Sequence, residues 1–161
     1  MVFTLVALIG LLAAIGTAVW FAADARRRRA PAPRAGAIDL CCGLLTVGFM
    51  ALHLAAVVGH IFSGKGFGGE ARFAYDFRFF WLILLGVVIS IPGLVFVIQA
   101  RRLTDGDVTA WKRVLWASGA LLALSVPLVY RDAIALNTAL LATINLVSLG
   151  AGRKQFGTAA T

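Results

Sequence analysis

The stretch that decides the fold is GAIDLCCGLLTVGFMALHLAAVVGHIF, which covers residues 36–62. It is long and apolar enough to form one membrane-spanning helix, because about 20 apolar residues cross the hydrocarbon core of a bilayer. Within this stretch, polar residues recur every seven positions, which is almost two helical turns. One more polar residue lies three positions after the first of them. They therefore share one stripe of the helix. This stripe, named here the polar seam, consists of Asp39, Cys42, Thr46, His53 and His60.

The other side of the same helix has small residues about one turn apart. A run of this kind lets the backbone of a second helix approach closely inside a membrane. These residues, named here the small-residue face, are Gly48, Ala51, Ala55 and Gly59. We therefore expect the helix to pack on two sides, through polar contacts on one and close backbone contacts on the other.

The composition indicates an integral membrane protein. Of the 161 residues, 61% are apolar and 14% are charged, whereas a soluble domain is nearer half apolar and a quarter charged. The net charge of +8 comes from basic residues in short segments between apolar runs, a pattern typical of membrane topology. We expect a single all-α domain, a polytopic transmembrane helix bundle, with no nucleic-acid partner.

Five apolar runs predict five membrane spans, at residues 2–23, 36–62, 79–100, 111–130 and 133–149. Basic residues lie mostly on the inner side if the N-terminus is outside, as the positive-inside rule requires. The last two runs are separated only by Arg131 and Asp132, so four spans are the alternative. The excess of arginine over lysine and the lack of a targeting signal favour a bacterial inner membrane.

Basic residues crowd the first predicted inner loop. They are Arg26, Arg27, Arg28, Arg29 and Arg34. The simpler interpretation is that they set the orientation of the first two helices. The functional one is that they bind the head groups of anionic membrane lipids.

The two histidines cannot hold a haem iron between them. His53 and His60 lie on one helix about 10 Å apart along its axis, so they cannot occupy opposite faces of one macrocycle. Either one could ligate a five-coordinate tetrapyrrole, or share a haem with a partner chain. The alternative is that both form hydrogen bonds within the bundle, as we also expect for Asn137 and Asn145 of the fifth run. The adjacent Cys41 and Cys42 form no CxxC motif, and we predict no metal site.

No arrangement of residues in the sequence predicts catalysis. Asp39 lies near the inner end of its helix, and Thr46 and His53 follow it at steps of about 10 Å, too far for direct proton transfer. The sequence therefore favours a non-enzymatic accessory or structural subunit of a larger integral membrane complex, with other membrane subunits as partners. Two alternatives stay open. One is a tetrapyrrole- or quinone-binding redox or light-harvesting subunit using His53 or His60, and the other is a small transporter or channel using the polar seam.

Overall fold

The computed structural model describes the backbone of residues 2–62, 72–126 and 133–156, and the side chains of residues 5–59, 83–126 and 135–156. The described residues form five α-helices and a short 3₁₀ helix, with no strand among them. The helices are α1 (Val2–Arg27), α2 (Pro33–Phe62), α3 (Arg72–Thr104), α4 (Val108–Ser125) and α5 (Ala133–Ala151), and the 3₁₀ helix is Arg153–Phe156. The predicted all-α class is confirmed.

Three of the helices are long and apolar enough to cross a membrane. These candidate spans are Leu5–Arg27, Pro33–Gly59 and Ile83–Thr104. A shorter apolar helix covers Ala135–Ala151. Three such helices in one bundle indicate a membrane protein, in agreement with the composition.

The helices extend beyond several of the predicted spans. The largest difference is in α3, which begins at Arg72 and ends at Thr104, whereas the third span was predicted at residues 79–100. Residues 72–78 contain neither glycine nor proline, so nothing in them interrupts a helix. The helix α4 begins three residues earlier than predicted, at Val108, and the last four residues of the predicted fourth span lie outside the described residues.

The closest packing in the bundle is between α2 and α3. A Cβ atom built on Gly43 of α2 would lie 2.8 Å from the carbonyl oxygen of Gly93 and 2.9 Å from the Cβ of Phe96. A Cβ on Gly93 would lie 3.0 Å from the Cβ of Thr46, and one on Gly36 would overlap the Thr104 hydroxyl. The two backbones can approach this closely only because these positions are glycines.

A tight turn joins α3 to α4. Gly106 has a φ of 82°, in the left-handed region that glycine tolerates best. Asp107 caps α4, because its Oδ1 accepts a hydrogen bond from the backbone N–H of Thr109 at 2.7 Å. The connection between α1 and α2 lies beside this turn, since the N–H of Ala32 donates to the carbonyl of Thr104 at 3.1 Å.

Contacts of one tryptophan join α4 to the end of the chain described. Trp111 at the start of α4 donates from its ring N–H to the carbonyl of Leu149 at 3.3 Å, and its ring lies 6.3 Å from that of Phe156. These contacts join α4 to the end of α5.

The helix α1 is the most exposed of the longer helices described. It packs against α2 through Ala14 and Ala18 and exposes most of its other side chains.

The glycine contacts generate a first prediction. Replacing Gly43→Ala should lower the free energy of unfolding by about 1–3 kcal/mol, because the added methyl group meets the carbonyl oxygen of Gly93 and the Cβ of Phe96. The matched control is Gly48→Ala, since a Cβ there would meet no atom within 4 Å. Unfolding in detergent, followed by circular dichroism, measures both. Equal stability of the two variants would contradict the close α2–α3 contact.

Candidate functional site

A cluster of three buried polar side chains joins α2, α4 and α5. The Nδ2 of Asn145 donates to Asp39 Oδ1 at 2.8 Å and lies 3.3 Å from the Oγ of Ser118, to which it also donates. All three side chains are fully buried. This group, named here the buried polar cluster, consists of Asp39, Ser118 and Asn145, and it connects positions that are 106 residues apart.

The cluster has spare hydrogen-bonding capacity. Within the described part of the chain, Asp39 Oδ2 and Asn145 Oδ1 are buried and have no hydrogen-bond partner. An unsatisfied buried polar atom costs about 1–3 kcal/mol. Both free atoms are oxygens, so the cluster could accept a hydrogen bond from a water molecule or from another donor. Asp39 takes part in neither of the ion pairs found among the described residues, both of which are made by Arg28.

Cys42 and Thr46, the next two members of the polar seam, are used for helix packing. Cys42 is buried in the core, and the hydroxyl of Thr46 donates to the Cys42 carbonyl at 2.8 Å while its methyl side faces Gly93 of α3. His53 is half-buried, with its ring Cδ2 3.6 Å from the position of a Cβ on Gly86. The side chain of His60 lies outside the described residues.

The sequence indicated part of this arrangement and missed part. Asn145 makes the interhelical hydrogen bond that was predicted for it, whereas Asn137 on the same helix is exposed. Ser118 was not singled out, and neither was the pair formed by Ser125 and Thr138, whose hydroxyl oxygens lie 2.8 Å apart between α4 and α5. Serine and threonine hydroxyls in apolar helices often form hydrogen bonds to the backbone of their own helix. Sequence alone therefore does not show which of them bond to another helix instead.

No other described helix packs closely on the small-residue face. Its members Gly48, Ala51, Ala55 and Gly59 are all exposed. A Cβ on Gly48 or Gly59 would meet no atom within 4 Å. Within this chain α3 packs instead on other glycines of α2, so close packing on the small-residue face stays a prediction about a partner outside the chain.

Two apolar grooves run along the contact between α1 and α2. The first, with a volume of about 380 Å³, is lined by Gly10, Ala14 and Thr17 of α1 and by Gly48 and Leu52 of α2, among others. The second has a volume of about 300 Å³. Its lining includes Ile15, Val19 and Ala22 of α1, and Arg34, Ile38 and Cys41 of α2.

The five arginines of the first loop have different surroundings. The Nε of Arg28 lies 2.9 Å from Asp24 Oδ2, and its NH1 lies 3.7 Å from Asp105 Oδ1. Arg28 therefore ties the end of α1 to the turn after α3. The other four form no ion pair among the described residues, and they are Arg26, Arg27, Arg29 and Arg34.

No group of three or more histidine, cysteine, aspartate or glutamate side chains that could hold a metal ion occurs among the residues described. The tetrapyrrole hypothesis for His53 and His60 stays a prediction. No protein-family model, no curated protein and no solved structure matches the chain.

The buried polar cluster generates a second prediction. Replacing Asn145→Leu should lower the free energy of unfolding by about 1–3 kcal/mol, because it leaves the buried Asp39 without its donor. Replacing the exposed Asn137→Leu on the same helix should change it by less than about 0.5 kcal/mol. Titration with a denaturing detergent measures both, and an equal loss for the two variants would contradict the assignment of Asn145 to the cluster.

Proposed function

We propose that this protein is a non-enzymatic accessory subunit of a larger integral membrane complex, and that a partner helix docks on the small-residue face of α2. The observation that supports this proposal most directly is that Gly48, Ala51, Ala55 and Gly59 are exposed. In a membrane, helices associate through close van der Waals packing and interhelical hydrogen bonds, and small residues allow the closest approach.

The dimensions of the small-residue face suit a crossing helix. From Gly48 to Gly59 it extends about 17 Å along the axis of α2, roughly half the thickness of the hydrocarbon core. The first groove adjoins it, because Gly48 lines that groove as well. A partner side chain could therefore fill the groove while its helix lies on the small residues.

The contacts of the polar seam favour this function over transport. Asp39 is buried against Asn145 of α5, and Thr46 is buried against Gly93 of α3. These side chains hold helices together and do not line either of the two grooves described above. This distribution suits a structural subunit better than a transporter or channel that uses the seam.

We propose further that all five helices cross the membrane, with the N-terminus outside and the C-terminus inside, and that the membrane is a bacterial inner membrane. Three contacts support this topology. Arg28 pairs with Asp105, Ala32 bonds to Thr104, and Trp111 packs on Phe156. The basic segments after α1, α3 and α5 therefore meet at one end of the bundle. The 18 residues of α4 and the 19 of α5 are each about 27–29 Å long, close to the thickness of the core.

If a partner helix docks on the small-residue face, larger side chains there should weaken its association with this protein. The double variant Gly48→Leu, Gly59→Leu should co-purify with its partner at least about tenfold less than the parent chain does, because two leucines would separate the helices. The measurement is purification from the native membrane in mild detergent, with identification of the proteins that co-migrate.

Gly119→Leu on α4 is the matched control for this experiment, since a Cβ at Gly119 also meets no atom within 4 Å. It should leave association unchanged. A parent chain that purifies alone would contradict the proposed function, and a partner retained by the double variant would contradict the proposed docking surface.

The topology is tested by reporter fusions at the C-terminus. With five spans and the N-terminus outside, a fused green fluorescent protein should be fluorescent and a fused alkaline phosphatase inactive, because the C-terminus lies in the cytoplasm. The four-span alternative predicts the opposite pair of results.

A further inference from the structure

The second groove along the α1–α2 contact differs from the first in having a charge at one end. Its walls are apolar side chains of both helices, including Ile15, Val19 and Ile38, and Arg34 is its charged lining residue. The groove extends about 10 Å along α2, from Arg34 to Cys41. A long apolar trough with a cation at one end fits a ligand that has an anionic head and an apolar tail.

Helical spacing places a second arginine near the same end of this groove. Arg26 follows Ala22 by four residues on α1, so it lies one turn further along the face that lines the groove. Arg34 precedes Ile38 by four residues on α2, so it lies one turn before Ile38 on the face of α2 that forms the other wall of the groove. Both arginines are exposed. They also lie at the ends of two candidate membrane spans, Leu5–Arg27 and Pro33–Gly59, which is the depth of the lipid head groups.

Arg28 differs from these two arginines in its ion pairs. Arg28 forms ion pairs with Asp24 and Asp105, so it is less available to an anionic ligand. Among the residues described, neither Arg26 nor Arg34 forms an ion pair. Two uncompensated guanidinium groups beside an apolar groove are well suited to a phosphate, because arginine binds phosphate through paired N–H donors.

From this geometry we propose that the second groove is a binding site for one anionic phospholipid, which lies in the inner leaflet under the topology proposed above. The phosphate lies between Arg26 and Arg34, and the first part of one acyl chain lies along Val19, Ala22 and Ile38. The site shares no lining residue with the first groove and none with the small-residue face. The lipid site therefore does not depend on the proposed docking of a partner helix.

The test is native mass spectrometry of the purified full-length chain in a neutral detergent, with dioleoyl phosphatidylglycerol and dioleoyl phosphatidylcholine added separately. The two lipids have the same chains and differ in net head-group charge. We expect tighter binding of phosphatidylglycerol. Arg34→Gln and Arg26→Gln should each weaken it about fivefold, since one basic residue near an anionic lipid surface contributes about a factor of five.

Arg113→Gln is the matched control, because Arg113 is also exposed but lies on α4, away from the groove. It should leave lipid binding unchanged. Equal affinity for the two lipids would overturn the proposal, and so would a loss in Arg113→Gln as large as that in Arg34→Gln, which would indicate a diffuse effect of surface charge.

The position of the acyl chain is tested by filling the groove. Val19 lines the groove and is 64% exposed, so Val19→Trp should leave the thermal unfolding unchanged while reducing phosphatidylglycerol binding at least about fivefold. Unchanged binding would overturn the placement of the chain. Glycerol phosphate at the same concentration should not displace the lipid, and effective displacement by it would show that the head group alone is recognised.

Discussion

The contact between the backbones of α2 and α3 is the constraint on which the rest of the bundle depends. Gly43 and Gly93 leave no space for a side chain between the two helices, so a shift of either helix would lose van der Waals contacts along its length. This contact sets the rotation of α2 about its own axis. With that rotation, Thr46 faces α3, and Asp39 faces α5, where Asn145 meets it. The helix α1 contributes less, since it lies at the edge of the bundle.

Polar side chains in the apolar interior then determine how α4 and α5 are placed. Asn145 bonds to α2 and α4 at once, and the hydroxyl groups of Ser125 and Thr138 pair α4 with α5 at a second point. A single interhelical hydrogen bond of this kind contributes only about 0.6–2 kcal/mol in a membrane. Its directionality still matters, because it specifies one register where apolar packing alone would tolerate several. Asp39, Cys42 and Thr46 of the polar seam are in this way part of the bundle's interior.

The side of α2 that this rotation leaves uncovered is the basis of the functional proposal. The small-residue face is exposed, while both grooves are formed where α1 rests on α2. The first groove borders the small-residue face and has an entirely different lining from the second. The second ends at Arg34, near the loop that Arg28 ties to the turn after α3. The surface around α1 and α2 thus has one region suited to a helix and another suited to a charged lipid.

Local properties of the sequence determined the membrane class and the five helical segments, because hydrophobicity and helical period act over a few residues. Helical spacing also grouped Asp39, Cys42 and Thr46 on one stripe. Only the tertiary structure decided which face of α2 meets which helix. The close contacts use Gly36 and Gly43 and leave the small-residue face open, and the partner of Asp39 is 106 residues away. Helical periodicity states which residues share a face, but the choice between faces depends on the fit of separate helices to one another.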